Sequence, residues 1–314
     1  MYLDNNWYGD RFILSRYCKV SDKPVFASIQ HGHVTIKNYK SDIPLGKRKL
    51  TITPWLVWND KISNFATKSR VKNVIPIGAV FLYLEKIFVL PKKNKSKGTL
   101  IFPFLSNPEE KMLNNYDEMV DYLKKNFPPP YTISVSIYDL KRINKKYKGV
   151  EFISFGYRGN KNYLKKLYLT IKNHSSIICT YPGSPLMYSM YLKKRVFLSK
   201  SYFLKNLDKN KKLNLDLDIK IMLKDLSKYK INIKNLNSSK NKTRIKLMMG
   251  NKFVKSPKKL KEILGWDNIF KIIMAKFFSK LIDIKENFIN GVNYSRLARV
   301  GKNYSSREYK IKKK

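Results

Sequence analysis

Ser175-Ser176-Ile177-Ile178-Cys179-Thr180-Tyr181-Pro182-Gly183-Ser184-Pro185-Leu186-Met187-Tyr188-Ser189-Met190-Tyr191-Leu192, followed by Arg195-Val196-Phe197-Leu198, has the pattern strand, sharp turn, helix, strand. The run from Ser176 to Thr180 has the length and apolar content of a buried strand. Gly183 admits backbone conformations that a Cβ disfavours, Ser184 suits a helix N-cap, and Pro185 fits the first helical position. A helix that starts just past the C-terminal end of a buried strand presents free N–H groups and a positive dipole end, which suits an anion. The expected ligand is a nucleotide phosphate. The competing expectation is an ordinary strand–helix corner with no ligand.

Upstream, a regular alternation leads into this unit. Thr132–Ile137 reads as a strand and Tyr138–Tyr147 as a helix opened by Asp139. Val150–Phe155 reads as a strand ending in Gly156-Tyr157-Arg158-Gly159-Asn160, and 161–173 as a helix. Strands separated by helices of about ten residues indicate crossover units and a parallel, Rossmann-like sheet. Neither GxGxxG nor GxxxxGK[ST] occurs, which disfavours dinucleotide and P-loop readings.

Before the prolines 128–130, taken as a domain boundary, four further strand-like runs occur, at 24–29, 50–58, 74–80 and 99–104. Tyr116–Phe127 reads as a helix, with Asp117, Glu118 and Asp121 near its start and Lys124 and Lys125 near its end, as the helix dipole favours. The first of these strands ends in Gln30-His31-Gly32-His33, two of the three histidines of the chain. Strand ends are where open α/β sheets bind ligands. A surface loop carrying two histidines is the plainer alternative.

The chain has 314 residues, 43% hydrophobic and 13% aromatic, which is enough for a substantial core. Its 65 Lys and Arg against 22 Asp and Glu give a net charge of +43. Such a surface attracts nucleic acid, anionic lipid and polyanionic substrates alike, and AT-rich coding drift produces the same excess. Cys18 and Cys179 stand far apart, which argues against a disulfide scaffold or structural zinc and fits a reducing cytoplasm. The first residues lack the basic flank and apolar core of a signal peptide. The apolar run 74–90 is broken by Pro76, Glu85 and Lys86, unlike a membrane span.

After residue 200 the composition shifts to Lys, Asn and Leu without a clear period, which reads as a loosely built basic extension. Asp216-Leu217-Asp218 in it is a lone DxD, a triplet that arises readily by chance. Ile269, Ile273, Phe277 and Leu281 fall at helical spacing among Lys271, Lys276 and Lys280. A helix packed on the protein is the first expectation, and one lying on an anionic membrane is the second. Residues 307–314 form a basic tail.

In order, Trp7-Tyr8-Gly9-Asp10-Arg11, Ile29-Gln30-His31-Gly32, Ile77-Gly78-Ala79-Val80-Phe81-Leu82-Tyr83, Phe155-Gly156-Tyr157-Arg158 and Gly183-Ser184-Pro185-Leu186-Met187-Tyr188 resemble the bacterial surface-polysaccharide (capsular) glycosyltransferases of GT-B type. The layout is more distantly similar to the CDP-glycerol glycerophosphotransferases. The resemblance covers roughly residues 5–200. It implies an α/β fold of two Rossmann-like domains facing a cleft: an acceptor-side domain at 1–127 and a nucleotide-binding domain at 128–204, with a basic, mostly helical extension at 205–314.

The resemblance also implies a reaction. A sugar, or a related phosphate-linked group, moves from a nucleotide-activated donor to a cell-surface polysaccharide or lipid-linked acceptor, in the cytoplasm or at the inner face of the plasma membrane. No metal or other cofactor is called for. His31 is placed as the base, with His33 beside it. Gly156, Arg158, Gly183, Ser184 and Tyr188 are placed on the donor, and Gln30, Gly32, Gly78, Ser106 and Asp139 in the cleft. Members of the family often carry His-Ser where this chain has Leu105-Ser106, and an aromatic residue where it has His33. Both departures bear on acceptor choice or on activity itself. The alternatives are a nucleic-acid-binding protein whose charge is the footprint, and an inactive, membrane-associated relative of the transferases.

Overall fold

The computed structural model describes residues 7–25, 27–33, 54–68, 71–88, 96–105, 114–143, 145–157, 159–199, 203–205, 209–275 and 277. Two parallel sheets with helices packed against them make a mixed α/β fold. The smaller sheet has three strands in the order β1 (Ser28–Ile29), β2 (Trp55–Val57) and β3 (Val74–Pro76). Helices α1 (Asp10–Tyr17), α2 (Asp60–Lys68) and α3 (Phe81–Ile87) belong to the same part of the chain. The strand expected over 74–80 is shorter, Val74–Pro76, and a turn at Gly78 leads into α3.

The larger sheet is built from β4 (Thr99–Phe102), β5 (Tyr131–Ser134), β6 (Val150–Ile153), β7 (Ser176–Cys179) and β8 (Arg195–Leu198), in the spatial order β6-β5-β4-β7-β8. Central β4 registers Thr99 on Tyr131 to one side and on Ser176 to the other. Its four residues are all buried, the continuous pattern of a strand covered on both faces. Leu100, Phe102, Ile177 and Cys179 enter one core, while Ile101, Ile133 and Ile178 enter another with Met119, Val120 and Leu123 of α4 (Tyr116–Asn126). This is the two-residue alternation of a pleated strand. Helices α5 (Tyr163–Asn173) and α6 (Ser184–Tyr191) complete the unit.

Three sequence expectations need correction. The boundary expected at 128–130 falls inside the five-stranded sheet, because β4 pairs directly with β5. The prolines form the entry to β5, where the carbonyls of Pro128 and Pro130 accept from the Thr99 hydroxyl and N–H at 2.9 and 2.8 Å. The helix expected over 138–147 is only a 3-10 turn, Leu140–Arg142. Lys141 with Lys145, and Arg142 with Lys146, place like charges four apart, which opposes a longer helix.

The third correction concerns the segment after residue 205. Helices α7 (Lys209–Lys228), α8 (Ser239–Met248) and α9 (Pro257–Leu264) send Leu226, Ile245, Met248, Leu260 and Leu264 into the main core, so the described part is no loose extension. It also bonds directly to the smaller sheet's surroundings. Ala79 N–H donates to Met249 O at 2.9 Å, Asn59 Nδ2 donates to Met248 O, and Trp266 Nε1 donates to Pro24 O at 2.8 Å. The Tyr83 hydroxyl donates to Ile77 O and accepts from Lys255 N. Gly78 and Gly250, both in the left-handed region, meet at this seam. Asp216 and Asp218 lie on the exposed part of α7.

Candidate functional site

The loop after β1 is shaped by Gln30 and Gly32. Gln30 continues the ladder through its N–H to Leu56 O, accepts from Trp58 N at 3.0 Å and donates to Gly32 O at 3.0 Å. Gly32 takes φ +71°, and a Cβ there would lie 2.8 Å from the Ser184 hydroxyl. The next residue, His33, donates its N–H to that hydroxyl at 2.7 Å. The His31 loop is therefore docked onto the first turn of α6.

His31 Nδ1 lies 2.8 Å from Asp10 Oδ2. Asp10 opens α1, where the helix dipole favours a negative charge, and its carboxyl is buried. Burial raises its pKa, and the hydrogen bond from His31 pulls it back. The carboxylate selects the tautomer with hydrogen on Nδ1, which leaves Nε2 of His31 as the nitrogen able to take a proton. The His31 side chain is 26% exposed and borders the cavity.

His33 is different. Its side chain is 3% exposed, and burial pushes its pKa down to about 4. Nε2 stands 3.4 Å from Asp225 Oδ2 without forming a hydrogen bond, while burial raises the Asp225 pKa. Both groups are thus driven toward neutrality, and desolvation outweighs a poorly aligned charge pair. A histidine closed off in this way is an ill-suited base, contrary to the expectation that paired it with His31.

At α6, Gly183 occupies the N-cap position and Ser184 is already helical, so the helix begins one position earlier than the sequence suggested. Gly183 has φ −87°, which any residue adopts; glycine is required there because a Cβ would overlap the Tyr181 ring. The Ser184 hydroxyl serves the His33 N–H and the Tyr188 side chain rather than the backbone N–H groups of its helix. Among the described residues neither the Gly183 nor the Ser184 N–H finds an acceptor. Tyr188 is buried and stacked on Phe81 at 4.0 Å, with its phenol held neutral by burial and by the nearby Asp10.

These pieces border one cavity of about 380 Å³. It is lined by the segments at the C-terminal ends of β4 (Phe102–Leu105), β5 (Val135–Tyr138), β6 (Ser154–Gly156) and β7 (Tyr181, Gly183 and Ser184), together with Tyr8, Asp10 and His31–His33. It therefore opens at the carboxyl ends of parallel strands, beside the β4–β7 pair where the strand order reverses, the usual place for a ligand in such sheets. The volume is that of a small-molecule pocket. The walls are aromatic: Tyr8, Phe102, Phe104, Tyr138, Phe155, Tyr163, Tyr181 and Tyr188. Among the described lining residues there is no Lys or Arg, so the strong basicity of the chain is not gathered here.

Of the residues singled out by sequence, the cavity brings together His31, Gly32, His33, Gly156, Gly183, Ser184 and Tyr188. Leu105 also lines it. Gln30, Gly78 and Asp139 do not: Gln30 braces the loop, Gly78 sits at the seam with Gly250, and Asp139 pairs with Arg142 at 2.9 Å. Arg158 and Ser106 lie outside the described residues. No cluster of three or more His, Cys, Asp or Glu suited to a metal ion occurs among the described residues.

Sequence reasoning did not assign Asp10. It lies 21 positions from His31, with no local pattern joining them. The signals at hand were its place in the stretch Trp7–Arg11 and an acid at a helix start just after a glycine.

No protein-family model and no curated protein matches the chain. Among solved structures it is similar to the spinosyn rhamnosyltransferase SpnG complexed with spinosyn aglycone, at 9% sequence identity and a TM-score of 0.31. That match covers 69% of this chain and 65% of the other, so the chain spans less than two thirds of that protein's length. A likeness this faint carries no argument about activity, and the site's own geometry has to.

Proposed function

We propose that the chain transfers a sugar from a nucleotide-activated donor to an acceptor hydroxyl. The observation that carries this reading is one cavity bordered both by the His31–Asp10 pair and by the open start of α6. His31 Nε2 takes the proton from the acceptor hydroxyl as its oxygen attacks the anomeric carbon. The bond from that carbon to the phosphate oxygen breaks, and the nucleotide leaves with the electron pair. Asp10 keeps the imidazole oriented and offsets the charge of the imidazolium.

The departing phosphate gathers charge beside the Gly183 and Ser184 N–H groups, which are fixed in place before reaction and reinforced by the α6 dipole. The aromatic walls offer flat apolar faces to sugar and base and keep water out. No step calls for a metal ion or other cofactor. A cell-surface polysaccharide or lipid-linked acceptor, reached from the cytoplasmic side, fits the sequence resemblance.

A thermal-shift panel of UDP-, CMP-, CDP- and GDP-linked sugars tests the reading, because a ligand bound only by the folded state raises the melting temperature. One nucleotide class is expected to stabilise the protein. If no member does so, while random duplex DNA binds and is lost steeply as salt rises, the nucleic-acid alternative takes its place.

A further inference from the structure

After α9 the chain turns at Gly265, with φ +71°, and enters a helical segment at 269–275. Asn268 starts it, its Oδ1 accepting from Lys271 N at 3.2 Å. The base is pinned by buried Trp266 and its bond to Pro24 O. Ile272 and Ala275 are buried. Ile269, Phe270 and Ile273 instead face outward, with 72, 66 and 55% of their surface exposed. At about 100° per residue these three fall within an arc of roughly 100°. The stripe that spacing alone assigns to the core, Ile269 and Ile273, is therefore the one turned to solvent. Large apolar side chains gathered on an exposed face mark a contact surface.

Charge decides the occupant. Between 251 and 314 the sequence carries 17 Lys and Arg against 5 Asp and Glu, in a chain of net charge +43. A second copy would set like charge against like charge. A nucleic acid would meet the charge but leave the apolar side chains in water. A bilayer with anionic headgroups satisfies both. Among the described residues no helix is long and apolar enough to cross a membrane, so the contact is along the surface.

We propose that the outward face of the helical segment at 269–275 rests on an anionic bilayer, with Ile269, Phe270 and Ile273 entering the boundary between headgroups and acyl chains and the surrounding lysines meeting the headgroups. This inference stands on the surface alone and does not depend on the reaction proposed above.

The test is co-sedimentation of the full chain with vesicles of phosphatidylcholine alone and of an equal mixture of phosphatidylcholine and phosphatidylglycerol. Wild type binds the mixture, not phosphatidylcholine alone, and binding weakens as salt is raised. The double variant Phe270→Ser with Ile273→Ser keeps its melting temperature, since both side chains are exposed, and partitions roughly tenfold or more less well. Phe270→Ser alone serves if the double variant does not fold. Three results overturn the proposal: equal binding by variant and wild type, equal binding to both vesicle types, or no vesicle binding by a wild type whose self-association the variant abolishes.

Discussion

Replacing His33 by Phe should flatten the acid dependence of stability. The unfolded chain protonates this histidine below its ordinary value of 6.5, whereas the folded state holds it unprotonated down to about 4. Folding therefore excludes a proton between those two values, and stability falls as pH drops from 6.5 toward 4. At about 1.4 kcal/mol per pH unit, that interval amounts to about 3 kcal/mol. Asp225 acts in the opposite sense: its raised pKa lets the folded state take up a proton first, adding relative stability at low pH. Lys228 Nζ, 3.3 Å from the other Asp225 oxygen, and Lys61 hold that shift in check. Asp225 and both lysines remain in the variant, so comparing the two proteins isolates His33.

Phe keeps a flat ring beside Trp58, whose centroid lies 6.4 Å from that of His33, and removes a buried nitrogen that has no hydrogen-bond partner among the described residues. Urea unfolding at intervals from pH 7 to 4.5 gives the readout. The expected result is a wild-type slope steeper than the variant's by up to one proton, whatever the offset between them at pH 7. Parallel curves would refute the reasoning, because they would mean that His33 titrates alike in the folded and unfolded chains.

Two further substitutions probe the site and the seam. Asp10→Asn turns an amide donor toward His31 Nδ1, favouring the tautomer with hydrogen on Nε2 and removing the base; turnover should fall roughly 100-fold or more, with donor binding and melting temperature little changed. Gly250→Ala places a Cβ on the Trp58 carbonyl oxygen at φ +74°, and should cost about 3 kcal/mol or more in chemical denaturation.

The centre of the five-stranded sheet was legible because β4 and β7 are buried throughout and carry short apolar runs, while β6 and β8 at its edges are partly exposed and were read from their alternation with helices. The turn at 182–184 was legible because Gly, Ser and Pro each have a local reason to stand there. The proline boundary misled because prolines that end one helix also supply carbonyls to the neighbouring strand, which local sequence cannot distinguish. Helices α7 to α9 were hidden among Lys and Asn: a few buried residues such as Leu226, Ile245 and Leu260 anchor them, too sparse for a visible period. The His31 loop was found from its strand end, but Asp10, Asp225 and the Ser184 contact join positions far apart in the chain. The opposite fates of His31 and His33, two residues apart, are set by burial, which a glycine-centred turn does not reveal.

The central claim is that the His31 imidazole, oriented by Asp10, accepts the proton as the sugar is transferred. Its most direct test is the rate of nucleotide release from whichever donor stabilises the protein, measured in wild type and in His31→Ala together with donor affinity. The account predicts a rate lower by roughly 100-fold or more at unchanged affinity. Release at the wild-type rate by the variant would contradict it.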